Sequence, residues 1–198
     1  MKLTVHSWSA FLAAVLICIS WPTAGLANID EPDFESLLKE AGLSFRQPAT
    51  FEEVEVKDNA LFPYERAIRK TDGSIEVRYA IRPLSRISID YEDPHNAAPE
   101  PNHIFSMMFT ALIGRLSNGG SSPHREYQQE EASEKFNADW AALSLFDVEP
   151  DYSKEFRMAF LVALHKNDLS DAYVVILFDD LEMIKPQLEV VMSSLRFE

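Results

Sequence analysis

Histidines and carboxylates lie close together in one short loop, and their types are the ones that most readily suggest chemistry. The segment EDPHNAAPEP contains Glu92, Asp93 and His95, and His103 follows shortly after it. Imidazole nitrogens and carboxylate oxygens commonly ligate divalent cations. The spacing matches neither His-x-x-x-His nor Glu-x-x-His on one helix, so the sequence predicts no zinc motif. A solvated acidic loop is the favoured interpretation, and a loop that folds around a cation stays open as an alternative.

The segment after this loop has the period of a helix. Residues 102–116 are predicted to form it, with Asn102 as the N-cap. The residues that recur on its apolar face are Phe105, Met108, Phe109, Leu112 and Leu116, widened by Met107 and Ile113. Such a stripe most often packs into a core. The loop and the helix also form a candidate surface for a ligand or a protein partner, which consists of Glu92, Asp93, His95, His103, Met107 and Met108.

Four aspartates surround an apolar run near the end of the sequence. The run lies in NDLSDAYVVILFDD, and the aspartates are Asp168, Asp171, Asp179 and Asp180. Asn and Asp favour turns because their side chains bond the local backbone, which explains the first two. Asp179, with Glu182 three residues later, fits a capping box at the start of a helix. The spaced pattern of a calcium loop with its central Gly is absent, so structural roles are the favoured interpretation.

Motifs that carry nucleophilic or cofactor chemistry are absent from the sequence. There is no Gly-x-Ser-x-Gly elbow, no Walker loop and no Gly-rich dinucleotide turn. Cys18 is the only cysteine, and it lies in the N-terminal apolar segment. Carboxylates are so abundant that pairing any two of them as acid and base carries little weight. We therefore expect no enzymatic activity and no cofactor, while a hydrolase that uses carboxylates and a histidine stays open as an alternative.

The N-terminal segment has the order of a secretory signal peptide. Lys2 is the only charge before Asp30, an apolar stretch covers residues 10–19, and small residues precede Ala27. This order predicts a signal peptide over residues 1–27 that is cleaved after Ala27. The apolar stretch is shorter than the roughly 20 residues that cross a bilayer, although an uncleaved anchor stays open. We expect a mature domain over residues 28–198, without a membrane span, in the bacterial periplasm or outside the cell.

The composition is strongly acidic. The chain has 32 acidic and 18 basic residues, which gives a formal net charge of −14. Nucleic-acid binding requires Lys and Arg side chains that neutralise phosphates, so this charge disfavours nucleic acid. It also disfavours anionic lipid surfaces. The same charge favours solubility or a basic partner.

The clearest β-structure in the first half of the chain is a hairpin. Residues 64–70 and 74–83 form its arms, and Asp72-Gly73 supplies a strong turn signal between them. Ile75, Val77, Tyr79 and Ile81 alternate with polar residues along the second arm. Glu76, Arg78 and Arg82 are predicted to form a solvated face with cross-strand pairs.

The second half of the chain predicts the centre of the sheet. Its strands are apolar on both faces and lie over residues 140–148, 155–165 and 172–178. Strands of that kind are covered on both sides. The helices predicted to provide the cover lie over residues 33–41, 102–116 and 181–195. Residues 117–134 are expected to form a polar elaboration with a flexible start. The expected fold is therefore a single α+β domain, an antiparallel sheet flanked by helices.

Several stretches resemble the PsbP/Mog-like superfamily. GLSFRQP resembles its short opening strand that ends in Pro, and FRMAFLVALHKNDLSDAYVVILFDD followed by VVMSSLRFE is similar to its closing hairpin and helix. The resemblance implies an α/β/α sandwich. It also implies a non-enzymatic binding, assembly or chaperone-like role.

These observations favour one hypothesis over its alternatives. We expect a non-catalytic accessory module of the cell envelope that binds a protein partner, whose identity the sequence does not give. The alternative is a protein that binds a small ligand or a divalent cation through the His-containing loop and the Met-rich helix.

Overall fold

A computed structural model describes residues 33–89, 99–120 and 122–198 of the chain. The predicted signal peptide and three candidate site residues, Glu92, Asp93 and His95, therefore lie outside the described residues. The elements, in chain order, are α1 (Phe34–Glu40), β1 (Leu43–Phe45), β2 (Phe51–Val54), β3 (Arg66–Lys70), β4 (Ile75–Pro83), α2 (Phe105–Leu116), β5 (His124–Glu126), α3 (Gln129–Phe136), β6 (Trp140–Asp147), β7 (Met158–Lys166), β8 (Ser170–Phe178), α4 (Leu181–Met192) and β9 (Leu195–Phe197).

The main sheet contains seven strands in the order β2-β3-β4-β8-β7-β6-β5. Each neighbouring pair is antiparallel. The strands at its centre, β4, β8 and β7, are also the longest, with nine residues each. A second, two-stranded sheet pairs β1 with β9. The predicted α+β class, with an antiparallel sheet flanked by helices, is confirmed.

Apolar side chains fill both faces of the main sheet, because the central strands carry them at successive positions. On one face, Tyr79, Ile176 and Phe178 belong to a core that also includes residues of α1, α3 and α4. On the other face, Leu161 and Val175 belong to a second core with Phe109 and other residues of α2. All nine residues of β8 are buried, as a strand covered on both faces requires. Helices thus lie on both sides of the sheet.

The prediction of a solvated polar face on β4 is wrong for its two central charged residues. Glu76 and Arg78 are only 3% and 6% exposed. The guanidinium carbon of Arg78 lies 4.9 Å from the ring centre of Tyr64 and 4.7 Å from that of Tyr152, so two aromatic side chains cover it. Arg78 Nε donates to Glu76 Oε1 at 2.8 Å, and Nη1 donates to the Tyr152 carbonyl at 3.0 Å. A buried ion pair of this kind persists only when its polar groups are satisfied.

The start of α2 differs from the prediction. Asn102 does not cap it, because a short 3₁₀ turn over Pro101–His103 precedes the helix, which begins at Phe105. The Asn102 side chain instead accepts from the Asp168 N–H at 2.8 Å and donates to its carboxylate at 2.6 Å. Asn102 therefore ties the start of α2 to the β7–β8 turn, where Asp168 has a φ of 61°.

The cap of α4 is shifted by one residue from the prediction. Asp180 is the N-cap and accepts from the Glu182 N–H at 2.8 Å. Asp179 instead accepts from the Arg157 N–H at 2.9 Å, which joins the start of β7 to the end of β8. Pro186 lies inside α4 without ending it.

The segment expected to be a polar elaboration, residues 117–134, contains regular structure. It includes the edge strand β5 and most of the helix α3, which continues to Phe136. Asn137 ends α3 in a left-handed conformation with a φ of 52°, which short polar side chains tolerate. No helix in the described ranges is long and apolar enough to cross a bilayer.

Candidate partner-binding surface

Helix α2 packs on the sheet through one stripe and leaves the opposite side in solvent. Its buried residues are Phe109, Leu112, Ile113 and Leu116. This stripe is rotated from the predicted one towards Ile113, so Met108 is 38% exposed instead of buried. Met107 is 56% exposed. We call the exposed residues of α2 that precede Arg115 the α2 outer face. They are Ser106, Met107, Met108, Thr110, Ala111 and Gly114.

The α2 outer face carries no ionisable side chain over residues 106–114, and the exposed Arg115 lies at its C-terminal edge. The sequence of α2, FSMMFTALIGRL, contains no acidic residue, and its one charged residue is Arg115 at the end. Arg115 points a guanidinium N–H at the Ala60 carbonyl, 2.8 Å away. The sequences of α1, α3 and α4 each contain both acidic and basic residues. Exposed helix faces are usually charged, so an uncharged one is unusual on a chain with a net charge of −14.

Aromatic side chains flank the inner edge of α2. The Phe105 ring lies 4.8 Å from the Trp140 ring, centre to centre, and both residues are half-buried. Phe109 lies 5.7 Å from Trp140 and 5.5 Å from the imidazole of His124 on the edge strand β5. These rings extend the apolar character of α2 onto the start of β6 and the sheet edge.

A buried polar pair supports the first turn of α2. Phe105 stacks on the His165 imidazole, with ring centres 4.1 Å apart. His165 Nδ1 lies 2.7 Å from Asp171 Oδ1, and Nε2 lies 3.2 Å from Asn167 Oδ1. The Tyr173 hydroxyl donates to the other Asp171 oxygen at 3.5 Å, and burial together with that carboxylate raises the pKa of Tyr173 well above its usual range.

This pair has the composition of a catalytic His–Asp dyad but not its accessibility. The side chains of His165 and Asp171 are 2% and 5% exposed. Both imidazole nitrogens already have partners, and a general base needs one nitrogen within reach of the substrate proton. The pair therefore serves as a rigid polar support beneath Phe105.

The structure describes three of the six residues predicted for the ligand or partner surface. His103 is exposed on the 3₁₀ turn before α2, and Met107 and Met108 are exposed on α2 itself. Among the residues with described positions, no group of three or more His, Cys, Asp or Glu side chains is placed to hold a metal ion. What these elements present is a surface of two exposed methionines among small uncharged residues, between the exposed His103 and the exposed Arg115.

Sequence reasoning missed the support beneath this surface, although a signal for it exists. His165 and Asp171 are register partners across the antiparallel β7–β8 pair. A hairpin centred on the Asn167-Asp168 turn places these two positions opposite each other, where their side chains meet on the same face. The turn was predicted, but the register that follows from it was not used.

A second polar cluster lies on the same side of the sheet, beneath Tyr152. Arg69 lies between two carboxylates, Glu76 and Glu155, and Glu155 also accepts from Lys57 at 2.9 Å. Hydrogen bonds from Lys57 and Arg69 lower the pKa of the Glu155 carboxyl. The Tyr152 hydroxyl has no hydrogen-bond partner among the described atoms, and burial raises its pKa. Because these charges pair with one another, the cluster holds the loop that contains Tyr152 against β3 and β4.

Neither of two sequence comparisons finds a relative of this chain. No family model matches it, and no curated protein is significantly similar to it. The class that the fold defines is an α+β protein whose antiparallel sheet is covered by helices on both faces.

Proposed function

We propose that this protein is a non-catalytic accessory module that binds a protein partner through the α2 outer face. The observation that carries the proposal is the exposure of Met107 and Met108 on a helix face whose one charged neighbour on α2 is Arg115 at its C-terminal edge, on a strongly acidic chain. Interface centres are depleted in charged residues and enriched in Met. Methionine side chains are flexible and polarizable, so they adapt to a partner's surface.

The chemistry of the surface favours one kind of partner. An apolar surface centred on Met107 and Met108 matches an apolar patch of comparable size. The chain around it has 32 acidic against 18 basic residues, so a partner with basic residues around its apolar patch gains electrostatic complementarity. The proposed partner is therefore a protein with an apolar contact surface inside a basic rim.

The proposed location and the absence of catalysis rest on different grounds. The signal-peptide pattern supports a compartment of the bacterial envelope. The likeness to the PsbP/Mog-like superfamily supports a binding or assembly role over an enzymatic one. One fold supports many functions, so the proposed role rests on the α2 outer face.

Helix α4 offers a matched control for the surface. Met183 on α4 is 48% exposed, close to the 56% of Met107. Each methionine is the third residue of its helix, where a new carboxylate interacts favourably with the helix dipole. Met183 differs in lying beside charged residues, Glu182 and Lys185. Met107→Glu and Met183→Glu therefore make the same chemical change with the same expected effect on folding.

The test uses a photo-crosslinking amino acid at Thr110, on the α2 outer face, in the organism that makes the protein. We expect a crosslink to one protein, retained in Met183→Glu and lost in Met107→Glu. The loss follows because a carboxylate buried in an apolar interface leaves an unpaired charge. Crosslinking that is absent, or that survives Met107→Glu unchanged, would overturn the proposal.

A further inference from the structure

A small cavity opens at the other end of α2, where β6 ends. Its volume is about 250 Å³. Ser117, Asn118, Ser122 and Asp147 form its polar wall, and Leu145, Phe146 and Met158 form its apolar wall. Pockets for small molecules start at roughly 300 Å³, so this cavity has the size for a single side chain or a ligand of that size.

The segment that follows α2 is fixed to the sheet edge and shapes the cavity. Ser117 pairs with Val148 as an isolated bridge, and the Asn118 N–H donates to the Asp147 carbonyl at 2.8 Å. Gly119 and Gly120 have φ values of 124° and 74°, which favour glycine and allow the tight reversal here. The segment predicted to be flexible therefore holds defined contacts at 117, 118 and 122.

Several polar groups on the wall keep hydrogen-bonding capacity that no described residue fills. Ser117 is 6% exposed, and its Oγ has no hydrogen-bond partner within the described part of the chain. Asp147 is exposed, and its carboxylate forms no ion pair among the described residues. The Ser122 hydroxyl donates to the Leu145 carbonyl at 2.6 Å, which leaves its oxygen lone pairs available.

The charge at the cavity is negative. None of its lining residues within the described ranges is basic. Arg157 is next to Met158 in the chain, but it forms an ion pair with Asp179, with 3.5 Å between Arg157 Nε and Asp179 Oδ1. The carbonyl end of α2 adds a partial negative charge within its last turn. The cavity therefore favours a cation, and its serine, amide and carboxylate oxygens favour a hydrogen-bond donor.

We propose that this cavity binds a primary ammonium group on an aliphatic chain, the chemistry of a lysine side chain or of a small diamine. An ammonium group has three donors and no acceptor, which matches the oxygens of Asp147, Ser122 and Asn118. The methylene groups would lie along Leu145 and Met158, which share one face of the sheet, as lysine stems cover apolar surface while their charged ends stay polar. This site is separate from the α2 outer face, and its test uses no protein partner.

The test compares two probes, one with the ammonium group and one without it. Nα-acetyl-lysine N-methylamide and its norleucine analogue are titrated into the mature protein, and amide shifts are followed by NMR. We expect saturable shifts at Asn118 and Ser122 with the lysine probe and none with norleucine. Equal shifts from both probes would overturn the proposal, whatever the behaviour of any variant.

Variants separate the cavity from the general acidity of the chain. Asp147→Asn is expected to raise the dissociation constant of the lysine probe at least about tenfold, because a charge-assisted hydrogen bond is lost. Asp58→Asn removes the same charge at an exposed residue outside the cavity, and it should leave the constant unchanged. Retained affinity in Asp147→Asn would contradict the assignment.

Two further titrations identify the source of the ammonium group. Tighter binding of pentane-1,5-diamine than of the lysine probe supports a free amine, and the reverse order supports a lysine of a polypeptide. Calcium ions that displace the lysine probe and shift the same amides at lower concentration would overturn the assignment in favour of a metal site.

Discussion

Two buried tyrosines differ in the partners of their hydroxyl groups and allow one matched test of the packing described above. Tyr79 is 0% exposed, and its hydroxyl lies 2.9 Å from Ser194 Oγ. Tyr152 is 2% exposed, and its hydroxyl has no partner among the described residues. The same change, Tyr to Phe, should therefore lower the free energy of unfolding at Tyr79 and should not lower it at Tyr152.

The expected magnitudes follow from the hydrogen bonds. A buried hydroxyl without a partner costs about 1–3 kcal/mol, so Tyr152→Phe should leave the free energy of unfolding unchanged or raise it by up to about 1 kcal/mol. The ring stays in place over Arg78, at 4.7 Å, so the stacking contact is retained. Tyr79→Phe removes a made hydrogen bond and should lower the free energy of unfolding by about 1 kcal/mol.

Urea denaturation of the wild type and both variants measures the difference. The slopes with denaturant should agree, since neither change alters the surface exposed on unfolding. We expect Tyr152→Phe to be more stable than Tyr79→Phe by about 1–2 kcal/mol. If Tyr152→Phe loses as much stability as Tyr79→Phe, the Tyr152 hydroxyl has a hydrogen-bond partner, and the description of this core is wrong.

Three further predictions concern the charged groups and the N-terminal segment. Arg78→Met should lower the free energy of unfolding by about 3 kcal/mol in urea denaturation, because it breaks a buried ion pair. A loss below about 1 kcal/mol would mean that the pair between Arg78 and Glu76 is solvated. The pKa values of the Glu155 and Glu40 carboxyls lie below their ordinary value of 4.5 in the folded protein, through hydrogen bonds from Lys57 and Arg69 and from Arg86 and Ser85. The ionised carboxylates therefore stabilise the folded state above pH 4.5, and this stabilisation is lost as the pH falls below it. The thermal midpoint should fall over that pH range, and it should fall less in Glu155→Gln. Intact mass of the protein from its own organism should correspond to a chain that starts at Asn28, and a mass that includes residues 1–27 would refute the predicted cleavage.

The sheet and its covering helices were predictable because their signals are local and strong. Strands β7 and β8 are apolar at nearly every position, which requires cover on both faces. The Asp72-Gly73 turn fixes the β3–β4 hairpin, with Gly73 at a φ of 78°. Periods and turn residues of this kind depend on a few neighbouring positions, so the sequence contains them directly.

The burial of Glu76 and Arg78 was not predictable, because it depends on distant segments. Alternation along β4 shows which side the charged residues occupy, and it does not show what covers that side. The cover comes from Tyr64 and from Tyr152, which lies 74 residues after Arg78 in the chain. Asn102 is a similar case. Its side-chain oxygen accepts from Asp168, 66 residues away, and so it does not cap α2.

The exposure of both methionines of the candidate surface was not predictable from the helical period of α2. The helical period placed Met108 among the buried residues and Met107 at their border. The stripe that packs on the sheet is instead centred between Phe109 and Ile113, which leaves both methionines exposed. A rotation of this size depends on the shape of the sheet beneath α2, and the apolar pattern alone is too broad to fix it.

The most direct test of the partner-binding function is native mass spectrometry of the protein, purified gently from the organism that makes it. The wild type, Met107→Glu and Met183→Glu are compared under the same conditions. The account predicts one co-purifying polypeptide bound to the wild type and to Met183→Glu, and its loss from Met107→Glu. A bare chain in all three samples, or a polypeptide that remains bound to Met107→Glu, would contradict the claim that the α2 outer face binds a protein partner.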